Sequence, residues 1–268
     1  MNKLFTIFGN PVSHSISPLL HNYTIRAFGI NACYGRTMLE NPKYFRETFL
    51  KCGFNGANIT VPLKETAFEN CDEIYGIANN IKAVNTIINK NGKLIGYNTD
   101  ASGFYESIKE FKGIKSALIL GAGGTAKAIA NILKTKEIKA TVLNRSEKRI
   151  KYFLDNDFEA FSWSNFYPKK YDIIINTTSA GLKDNAFPLE ENLLNALIKT
   201  SYYCIDVIYN KQTPFLKLAK KQNKPHKDGA DMLLYQAVLA FEIFFNYQYK
   251  KNDIEKHMKY VFGHLLKI

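Results

Sequence analysis

The residues best suited to do chemistry in this sequence are Lys64 and Asp100, because local structure alone requires neither of them. Lys64 lies in the segment 58–65, which is typical of a strand that runs into a helix, with Pro62 at the first helical position. In the first turn of a helix a cation is disfavoured by the helix dipole. A positive potential and partial burial make a lysine amine a better proton-transfer group near neutral pH. The pair therefore predicts acid–base chemistry, and beside a nucleotide-binding unit it predicts an oxidoreductase that interconverts a carbonyl and an alcohol.

Asp100 also has a purely structural interpretation. It opens a helix that we expect to run to about Lys112 and to end at Gly113. Aspartate is a preferred N-cap residue, so from these residues alone a capping role and a catalytic role are both open.

A glycine-rich turn at residues 121–126 is the second chemical feature. It follows an apolar strand, residues 117–120, and opens a helix, and it matches the pattern G-x-G-x-x-A. In that pattern the first glycine permits a tight turn, the second lets a pyrophosphate approach the helix N-terminus, and the alanine allows close packing. An ordinary glycine turn is the alternative. The cofactor residues predicted in this turn are Gly121, Ala122, Gly123, Gly124, Thr125 and Ala126.

The end of the next strand indicates which cofactor is bound. NAD-specific units place an acidic residue there to bind the ribose 2′-hydroxyl, whereas this chain has Asn144, Arg145 and Ser146, followed by Arg149. An arginine fork suits a 2′-phosphate, so the cluster predicts NADP. A solvated basic cluster is the alternative, and Glu147 would weaken the preference if its carboxylate turned inward.

A polar loop at residues 9–18 follows the first predicted strand. Ser17 precedes a proline and is biased toward extended backbone, so Ser15 and Ser17 are expected to point the same way. Ser17 is also a plausible N-cap for the helix that follows. His14, in the same loop, is interpreted as structural.

Further hydroxyl and amide side chains gather at predicted strand ends. Asn58 and Thr60 share one face of their strand, Asn85 ends another polar break, and Asn98 precedes Asp100. Recognition of hydroxyl groups requires paired hydrogen-bonding partners. This set therefore suits a small, polyhydroxylated, carboxylated ring.

Short β-rich runs that alternate with helical stretches predict an α/β fold. A helix opened by Ser17 is expected to stop at Gly29, and Asn91-Gly92 predicts a type I′ hairpin between 84–88 and 93–97. The other predicted strands are 4–8, 33–37, 56–61, 117–120, 140–143, 171–176 and 203–207.

We expect two domains with a cleft between them. Residues 1–100 would form an α/β substrate domain, and residues 101–236 a Rossmann-type dinucleotide-binding domain. A strongly apolar helix from Met232 to about Tyr249 and an amphipathic helix from about Asp253 follow. Because their apolar surface needs a partner, the C-terminal helices, residues 237–268, are expected to return to the first domain.

Composition narrows the class of protein. With 268 residues, 46% hydrophobic and 22% charged, the chain has a globular composition, and no apolar run approaches the roughly 18 residues of a membrane span. The N-terminal apolar stretch is too short for a signal peptide, and the four cysteines lack metal-ligand spacing. We therefore expect a cytoplasmic protein with reduced thiols, no metal and no membrane partner.

The formal charge of +12 raises the possibility of nucleic-acid binding. The basic residues, however, are mostly lysines scattered along the chain, and arginine is the preferred reader of bases. We predict no nucleic-acid partner and a modest attraction for anionic substrates.

Taken together and in order, the motifs resemble those of the shikimate dehydrogenases, within the shikimate/quinate dehydrogenase family. The similarity covers nearly the whole chain. It is carried by residues 9–22, 58–64, 83–86, 96–100, 121–126, 144–145, 176–178, 206–209, 213–216 and 229–236.

The resemblance implies reversible reduction of 3-dehydroshikimate to shikimate by NADPH, in the route to aromatic amino acids. Lys64 would act as general acid and base with Asp100, and Ser15 and Ser17 would hold the substrate carboxylate. The resemblance also implies ring-hydroxyl contacts from Asn58, Thr60, Asn85 and Gln236, a place near the substrate for Tyr209, and cofactor contacts from Thr177, Val207 and Gly229.

Three departures from the family pattern stand out. Residues 224–228 are more polar than the strand expected before Gly229, Asp231 replaces a small residue, and Ser146 replaces a threonine. Two alternatives stay open: a quinate/shikimate dehydrogenase that uses NAD or both cofactors, and, because a fold does not fix a function, a non-catalytic nucleotide-sensing relative. The sequence allows either a monomer or a homodimer.

Overall fold

A computed structural model describes residues 2–266 of the chain, with side chains for residues 2–264. The chain forms two units. The first runs to Gly103 and resumes at Leu234, and the second comprises Phe104–Leu233. Both are α/β, as the alternating pattern predicts.

The strands lie in two six-stranded sheets. In chain order they are β1 (Lys3–Gly9), β2 (Ala32–Met38), β3 (Gly56–Ile59), β4 (Glu73–Ile74), β5 (Thr86–Lys90), β6 (Lys93–Tyr97), β7 (Ser116–Leu120), β8 (Lys139–Asn144), β9 (Glu159–Ser162), β10 (Ile173–Asn176), β11 (Tyr203–Asp206) and β12 (His226–Lys227).

The helices cover the faces of these sheets and link their strands. They are α1 (Ser17–Ala27), α2 (Phe45–Lys51), α3 (Lys64–Asn70), α4 (Ala78–Ile81), α5 (Thr99–Ile108), α6 (Gly124–Thr135), α7 (Glu147–Leu154), α8 (Glu191–Thr200), α9 (Pro214–Lys221), α10 (Ala230–Phe244) and α11 (Lys251–Tyr260), with a 3-10 turn at Pro42–Tyr44 and a π-helical turn at Val261–Leu266.

The sheet of the first unit has the order β2-β1-β3-β5-β6-β4. Strand β1 pairs in parallel with β2 and β3, and β5 pairs antiparallel with both β3 and β6. The predicted hairpin is confirmed, with positive φ angles at Asn91 (53°) and Gly92 (87°), the two central residues of the turn.

Aromatic side chains fill both faces of this sheet. On one face Phe8 packs against Phe45 and Phe49 of α2. On the other, Phe5 stacks on Phe244 of α10, with ring centroids 4.7 Å apart. The apolar C-terminal helix is therefore buried as expected, since Phe244 is only 7% exposed.

The start of α1 differs from the expectation. Ile16, not Ser17, is the N-cap residue, and no side chain caps the helix. Ser17 is the first helical residue and Ile16 has φ −89° and ψ −5°, so the segment is not extended as predicted. Gly29 follows the helix with φ +64°, which confirms the predicted helix end.

The second unit is a doubly wound sheet. Its order, β12-β11-β10-β7-β8-β9, is entirely parallel and corresponds to two βαβαβ halves that begin at β7 and β10. The predicted strands in this unit are confirmed, and β12 lies in the polar segment where the family resemblance implies a strand, whereas the short strand β9 was not anticipated. Ligands bind such sheets at the carboxyl ends of the strands where the order reverses, here between β7 and β10.

No helix within residues 2–266 combines the length and the apolar character that crossing a bilayer would demand. All four cysteines are free thiols.

His21 is the most unusual buried group in the first unit. It is 1% exposed on α1, its ring stacks on Tyr34 at 4.4 Å and lies 6.0 Å from the ring of Phe241, and neither ring nitrogen has a hydrogen-bond partner. Burial lowers the pKa of His21 from 6.5 to about 3. The folded state therefore holds this imidazole neutral, while the unfolded chain binds a proton there below about pH 6.5.

We expect this histidine to make the protein less stable in acid. Because the unfolded state binds the extra proton, the free energy of unfolding falls as the pH drops below 6.5, by ~2 kcal/mol between pH 7.5 and pH 5. His21→Phe keeps the stacked ring and should remove this component of the pH dependence. Urea unfolding at the two pH values measures it.

The matched control is His14→Phe, at an exposed histidine. It should leave the acid destabilisation unchanged. An equal pH dependence in wild type and His21→Phe would contradict the prediction.

Candidate active site

Lys64 and Asp100 form an ion pair in the first unit. Lys64 Nζ donates to Asp100 Oδ2 at 2.6 Å, and the two side chains are 29% and 18% exposed. Lys64 is the first residue of α3, and Asp100 is in the first turn of α5. The pair is partly shielded yet open to a small molecule, which is the setting that proton transfer to a bound substrate requires.

Asp100 is not the cap of α5, contrary to its structural interpretation. The side-chain oxygen of Asn98 accepts from the backbone N–H of Ala101 at 3.2 Å, so Asn98 caps this helix. The expectation for Pro62 is also wrong, because Pro62 lies in the turn before α3, whose N-cap residue is Leu63. With Asn98 as cap, the Asp100 carboxylate is available to Lys64.

Asn85 has a side-chain orientation that the backbone fixes. The N–H of Thr99, which can only donate, lies 2.7 Å from Asn85 Oδ1. Asn85 Nδ2 then donates to the Thr99 hydroxyl at 3.0 Å. Asn85 is 2% exposed, so these contacts satisfy a group that would be costly to bury alone.

Asn58 is oriented in the same way. Its Nδ2 lies 3.3 Å from the carbonyl oxygen of Asn85, which can only accept, and 3.0 Å from the hydroxyl of Thr86. Asn58 Oδ1 therefore accepts from the hydroxyl of Tyr34 at 2.7 Å. Burial raises the pKa of Tyr34 well above its ordinary value, so the phenol keeps the proton that it donates.

These contacts leave the amides of Asn58 and Asn85 with different unused hydrogen-bonding positions. In the part of the chain that the structure describes, the protein uses one lone pair of Asn58 Oδ1 and one N–H of Asn85 Nδ2. Each amide keeps a second position, an acceptor on Asn58 and a donor on Asn85. The sequence analysis missed Tyr34, Thr86 and Thr99; the two threonines lie next to predicted site residues, whereas nothing local marks Tyr34.

Ser15 and Ser17 do lie together, although for a different reason than the expected extended backbone. Their hydroxyls are 3.2 Å apart, and the backbone N–H of Ser17 donates to Ser15 Oγ at 3.3 Å. Arg36 on β2 holds the loop by donating to the Ser15 carbonyl at 2.6 Å.

Thr60 and Gln236 are placed by close backbone approaches. A Cβ at Gly9 would lie 2.4 Å from Thr60 Cγ2, so the serine loop starts directly beside Thr60. A Cβ at Gly103 would lie 2.6 Å from the backbone nitrogen of Gln236, which places Gln236 against the helix that carries Asp100. All the candidate substrate residues except Tyr209 belong to the first unit.

The glycine turn borders a cavity of about 420 Å³ in the second unit. Gly121 has φ +104°, and a Cβ there would lie 2.7 Å from Thr177 Oγ1. At Gly123 and Gly124, where α6 begins, a Cβ would meet nothing within 4 Å. The helix N-terminus therefore faces open space that a pyrophosphate fits, while Ala126, with 0% exposure, packs inside.

The strand ends complete this cavity. Of the predicted cofactor residues, Gly121, Ala122, Gly123, Asn144, Arg145, Arg149 and Thr177 line it. The sequence analysis missed Trp163, the segment 178–180 and the apolar Phe187 and Pro188, which also line it. The carboxylate of Glu147, the residue that could have opposed a phosphate, accepts from Ser162 at 3.3 Å.

Val207, Tyr209 and Gly229 lie at and beyond the ends of β11 and β12. A Cβ at Gly229 would lie 2.1 Å from the carbonyl oxygen of Val207, so only glycine fits there. Tyr209 is 36% exposed. The unexpected Asp231 pairs with Lys227 at 2.6 Å. Among residues 2–266 no group of three or more potential ligands is arranged to hold a metal ion.

Comparison with known proteins identifies the family. Residues 7–87 match the model of the shikimate dehydrogenase substrate binding domain. The NADP(+) shikimate dehydrogenase of Helicobacter hepaticus is 48% identical, over 95% of this chain and 96% of that protein.

Solved structures give the same result for the fold. Shikimate 5-dehydrogenase from Thermus thermophilus, in complex with NADP(H) and shikimate, has a TM-score of 0.82 and 30% identity, over 96% of this chain and 98% of that one. The 5-ketofructose reductase of a Gluconobacter strain has a TM-score of 0.83 and 30% identity, over 97% and 98%. Sequence identity over nearly the full length and a shared two-domain fold place this chain in the shikimate dehydrogenase family.

Proposed function

We propose that this protein catalyses the reversible, NADPH-dependent reduction of 3-dehydroshikimate to shikimate, in the biosynthesis of aromatic amino acids. The observation that carries the proposal is the Lys64–Asp100 ion pair, which lies in the same unit as the oriented amides of Asn58 and Asn85. A protein that only sensed a nucleotide would have no use for a proton-transfer pair beside a hydroxyl-binding network.

Lys64 is the proposed proton donor. Bound NADPH would supply the hydride for the carbonyl carbon. The Lys64 ammonium then gives a proton to the carbonyl oxygen as negative charge develops there, and in the reverse direction the amine takes the hydroxyl proton back. Asp100, 2.6 Å from Nζ, keeps the amine on the reacting oxygen and balances its charge.

The two amides determine in which direction a bound substrate hydroxyl accepts and donates hydrogen bonds. A substrate hydroxyl that accepts from Asn85 Nδ2 can donate its own proton to the remaining lone pair of Asn58 Oδ1. Ser15 and Ser17 are the proposed partners of the carboxylate, and Thr60 and Gln236 of the remaining ring hydroxyls. Tyr209 is kept as a proposed substrate contact on the family resemblance.

NADP is the proposed cofactor because two arginines line the cavity, and the carboxylate of Asp184, which also lines it, accepts from the backbone N–H groups of Gly181 and Ala186. Gly123 lines the cavity directly before α6, whose first residues Gly124 and Thr125 are proposed to bind the pyrophosphate, and Arg145 and Arg149, which also line the cavity, are proposed to bind the 2′-phosphate. Asn144, Ser146, Val207 and Gly229 are proposed to complete the cofactor site. Asn144 Nδ2 donates to the Ser146 carbonyl at 3.0 Å, which fixes the turn that carries Arg145.

Initial rates with shikimate and with quinate, each with NADP⁺ and NAD⁺, test the proposal. Shikimate with NADP⁺ should give the highest kcat/KM. High rates with quinate and NAD⁺ would favour the quinate/shikimate alternative, and no turnover with any pair would favour a binding protein.

We place the enzyme in the cytoplasm, as a monomer or homodimer, on its free thiols and the family resemblance.

Removing the Lys64 amine should reduce turnover strongly. General acid–base catalysis contributes about 10²–10⁴-fold, so Lys64→Ala should lower kcat by at least about 100-fold while KM for shikimate changes much less. Steady-state kinetics at saturating NADP⁺ measure both parameters. Lys90→Ala, at an exposed lysine on β5, is the control; near-normal kcat in Lys64→Ala would remove Lys64 from the mechanism.

Tyr34 should act on substrate binding through Asn58. Tyr34→Phe keeps the ring that stacks on His21 but removes the donor to Asn58 Oδ1. A lost hydrogen bond of about 1 kcal/mol corresponds to roughly a fivefold rise in KM for shikimate, with kcat and KM for NADP⁺ nearly unchanged. Tyr44→Phe, on a 56% exposed ring, should change nothing; equal kinetics in the two variants would refute the role of Tyr34.

Arg145 should set the cofactor preference. Arg145→Ala removes a charge from the 2′-phosphate but not from the rest of the dinucleotide. We expect KM for NADPH to rise about tenfold or more and KM for NADH to rise less than about threefold, since hydrogen bonds to charged groups contribute about 1.5–3 kcal/mol. Arg26→Ala, at an exposed arginine on α1, is the matched control, and equal losses for both cofactors would contradict the assignment.

A further inference from the structure

Trp163 is the only tryptophan in the chain, and it is 45% exposed. It lines the cavity that Arg145 and Arg149 also line. Neither the sequence motifs nor the resemblance assigns it a role. A large aromatic side chain left half open to water at the rim of a ligand cavity calls for a ligand that covers it.

The sheet register places this indole beside the arginine cluster. Strands β8 and β9 are parallel, and Asn144 pairs with Ser162. The next residue of each strand, Arg145 and Trp163, therefore leaves the sheet at the same edge. Because β9 is an edge strand, the indole lies on the outer side of the arginine.

The turn that carries Trp163 is fixed by hydrogen bonds. The backbone N–H of Ser162 donates to Asn165 Oδ1 at 2.8 Å, and the N–H of Asn165 donates to the Ser162 carbonyl at 3.3 Å. Ser162 is 1% exposed, and its hydroxyl contacts Ser164 Oγ at 2.8 Å. A platform held in this way loses little conformational entropy when a ligand covers it.

The chemistry of the ligand follows from the arginine cluster and the indole that lie at the same edge of the sheet. In NADP the 2′-phosphate and the adenine are attached to the same ribose, so a phosphate held by Arg145 and Arg149 brings the adenine within one sugar of the indole. Nucleotide bases stack on aromatic side chains whatever hydrogen-bonding groups they carry, because every base has a π face. We infer that Trp163 is the stacking platform for the adenine ring of NADP.

This inference rests on the proposed cofactor but not on the proposed reaction. It makes Trp163 a determinant of affinity for the adenosine 2′-phosphate half of the cofactor and gives it no part in the chemistry of the nicotinamide half. Loss of the ring should weaken NADP⁺ and NADPH binding without changing kcat at saturating cofactor.

The intrinsic fluorescence of the full-length protein tests the stacking directly, since Trp163 is its single tryptophan. Adenosine 2′,5′-bisphosphate, which lacks nicotinamide, should change the emission in a saturable way. Nicotinamide mononucleotide, which lacks adenine, should not. Binding of adenosine 2′,5′-bisphosphate detected by calorimetry with unchanged emission would overturn the inference, as would the absence of any binding.

Variants measured by calorimetry supply the second readout. Trp163→Phe keeps a stacking face and should bind adenosine 2′,5′-bisphosphate within about threefold of wild type, whereas Trp163→Ala should bind about tenfold more weakly. Tyr167→Ala removes an 82% exposed ring, four residues further along the chain and not part of the cavity lining, and should bind like wild type. Circular dichroism checks that each variant folds.

The outcomes separate the two proposals. Quenching by adenosine 2′,5′-bisphosphate without turnover of shikimate would support the role of Trp163 and refute the proposed reaction. Normal turnover of shikimate, together with equal affinities of wild type and Trp163→Ala for adenosine 2′,5′-bisphosphate, would support the proposed reaction and refute the role of Trp163.

Discussion

The first unit depends on one constraint, that every buried amide and hydroxyl must have a hydrogen-bond partner. Asn58, Asn85, Thr86 and Thr99 are all at most 5% exposed. An unpaired polar group at such a depth costs about 1–3 kcal/mol. The orientations of both amides are fixed, because the backbone N–H of Thr99 can only donate and the backbone carbonyl of Asn85 can only accept.

The same constraint joins elements that are far apart in sequence. The network connects β2, β3, β5 and the start of α5 through side chains, in addition to the ladder between β3 and β5. Since Thr99 is held by Asn85, the first turn of α5 is fixed, and Asp100 in that turn is aimed at Lys64 at 2.6 Å. The catalytic pair is thus positioned by the binding network, so recognition and proton transfer share one scaffold.

Much of this architecture was predictable from short-range patterns. The hairpin at Asn91-Gly92, the turn at Gly121 and the end of α1 at Gly29 each follow from a backbone conformation that few residues adopt. These features need only neighbours within a few residues. The doubly wound order of the second sheet has a different basis. Apolar strands that alternate with helices, joined by right-handed crossovers, allow only a few topologies.

Two kinds of feature could not be predicted: those for which several neighbouring residues compete for one role, and those made by residues far apart in sequence. Asn98, Thr99 and Asp100 can all cap a helix, and which one does so is decided by where β6 ends and by the contact of Thr99 with Asn85. Tyr34 on β2 reaches Asn58 on β3 across the intervening strand β1, 24 residues away in sequence, so no local pattern marks it. The strands β4 and β12 have two residues each, too few for any periodicity.

The charged departures from the family pattern near Gly229 are paired with one another. Lys227 on the edge strand β12 contacts Asp231 at 2.6 Å and Glu110 at 2.8 Å. Burial opposes the charged amine, but the hydrogen bonds to the two carboxylates outweigh it, so the pKa of Lys227 is raised. Asp231 therefore adds no unpaired negative charge, and a charged edge strand also resists pairing with another chain. Gly229 cannot vary in this way, because a Cβ would overlap a backbone carbonyl 2.1 Å away and no compensating charge relieves a steric overlap.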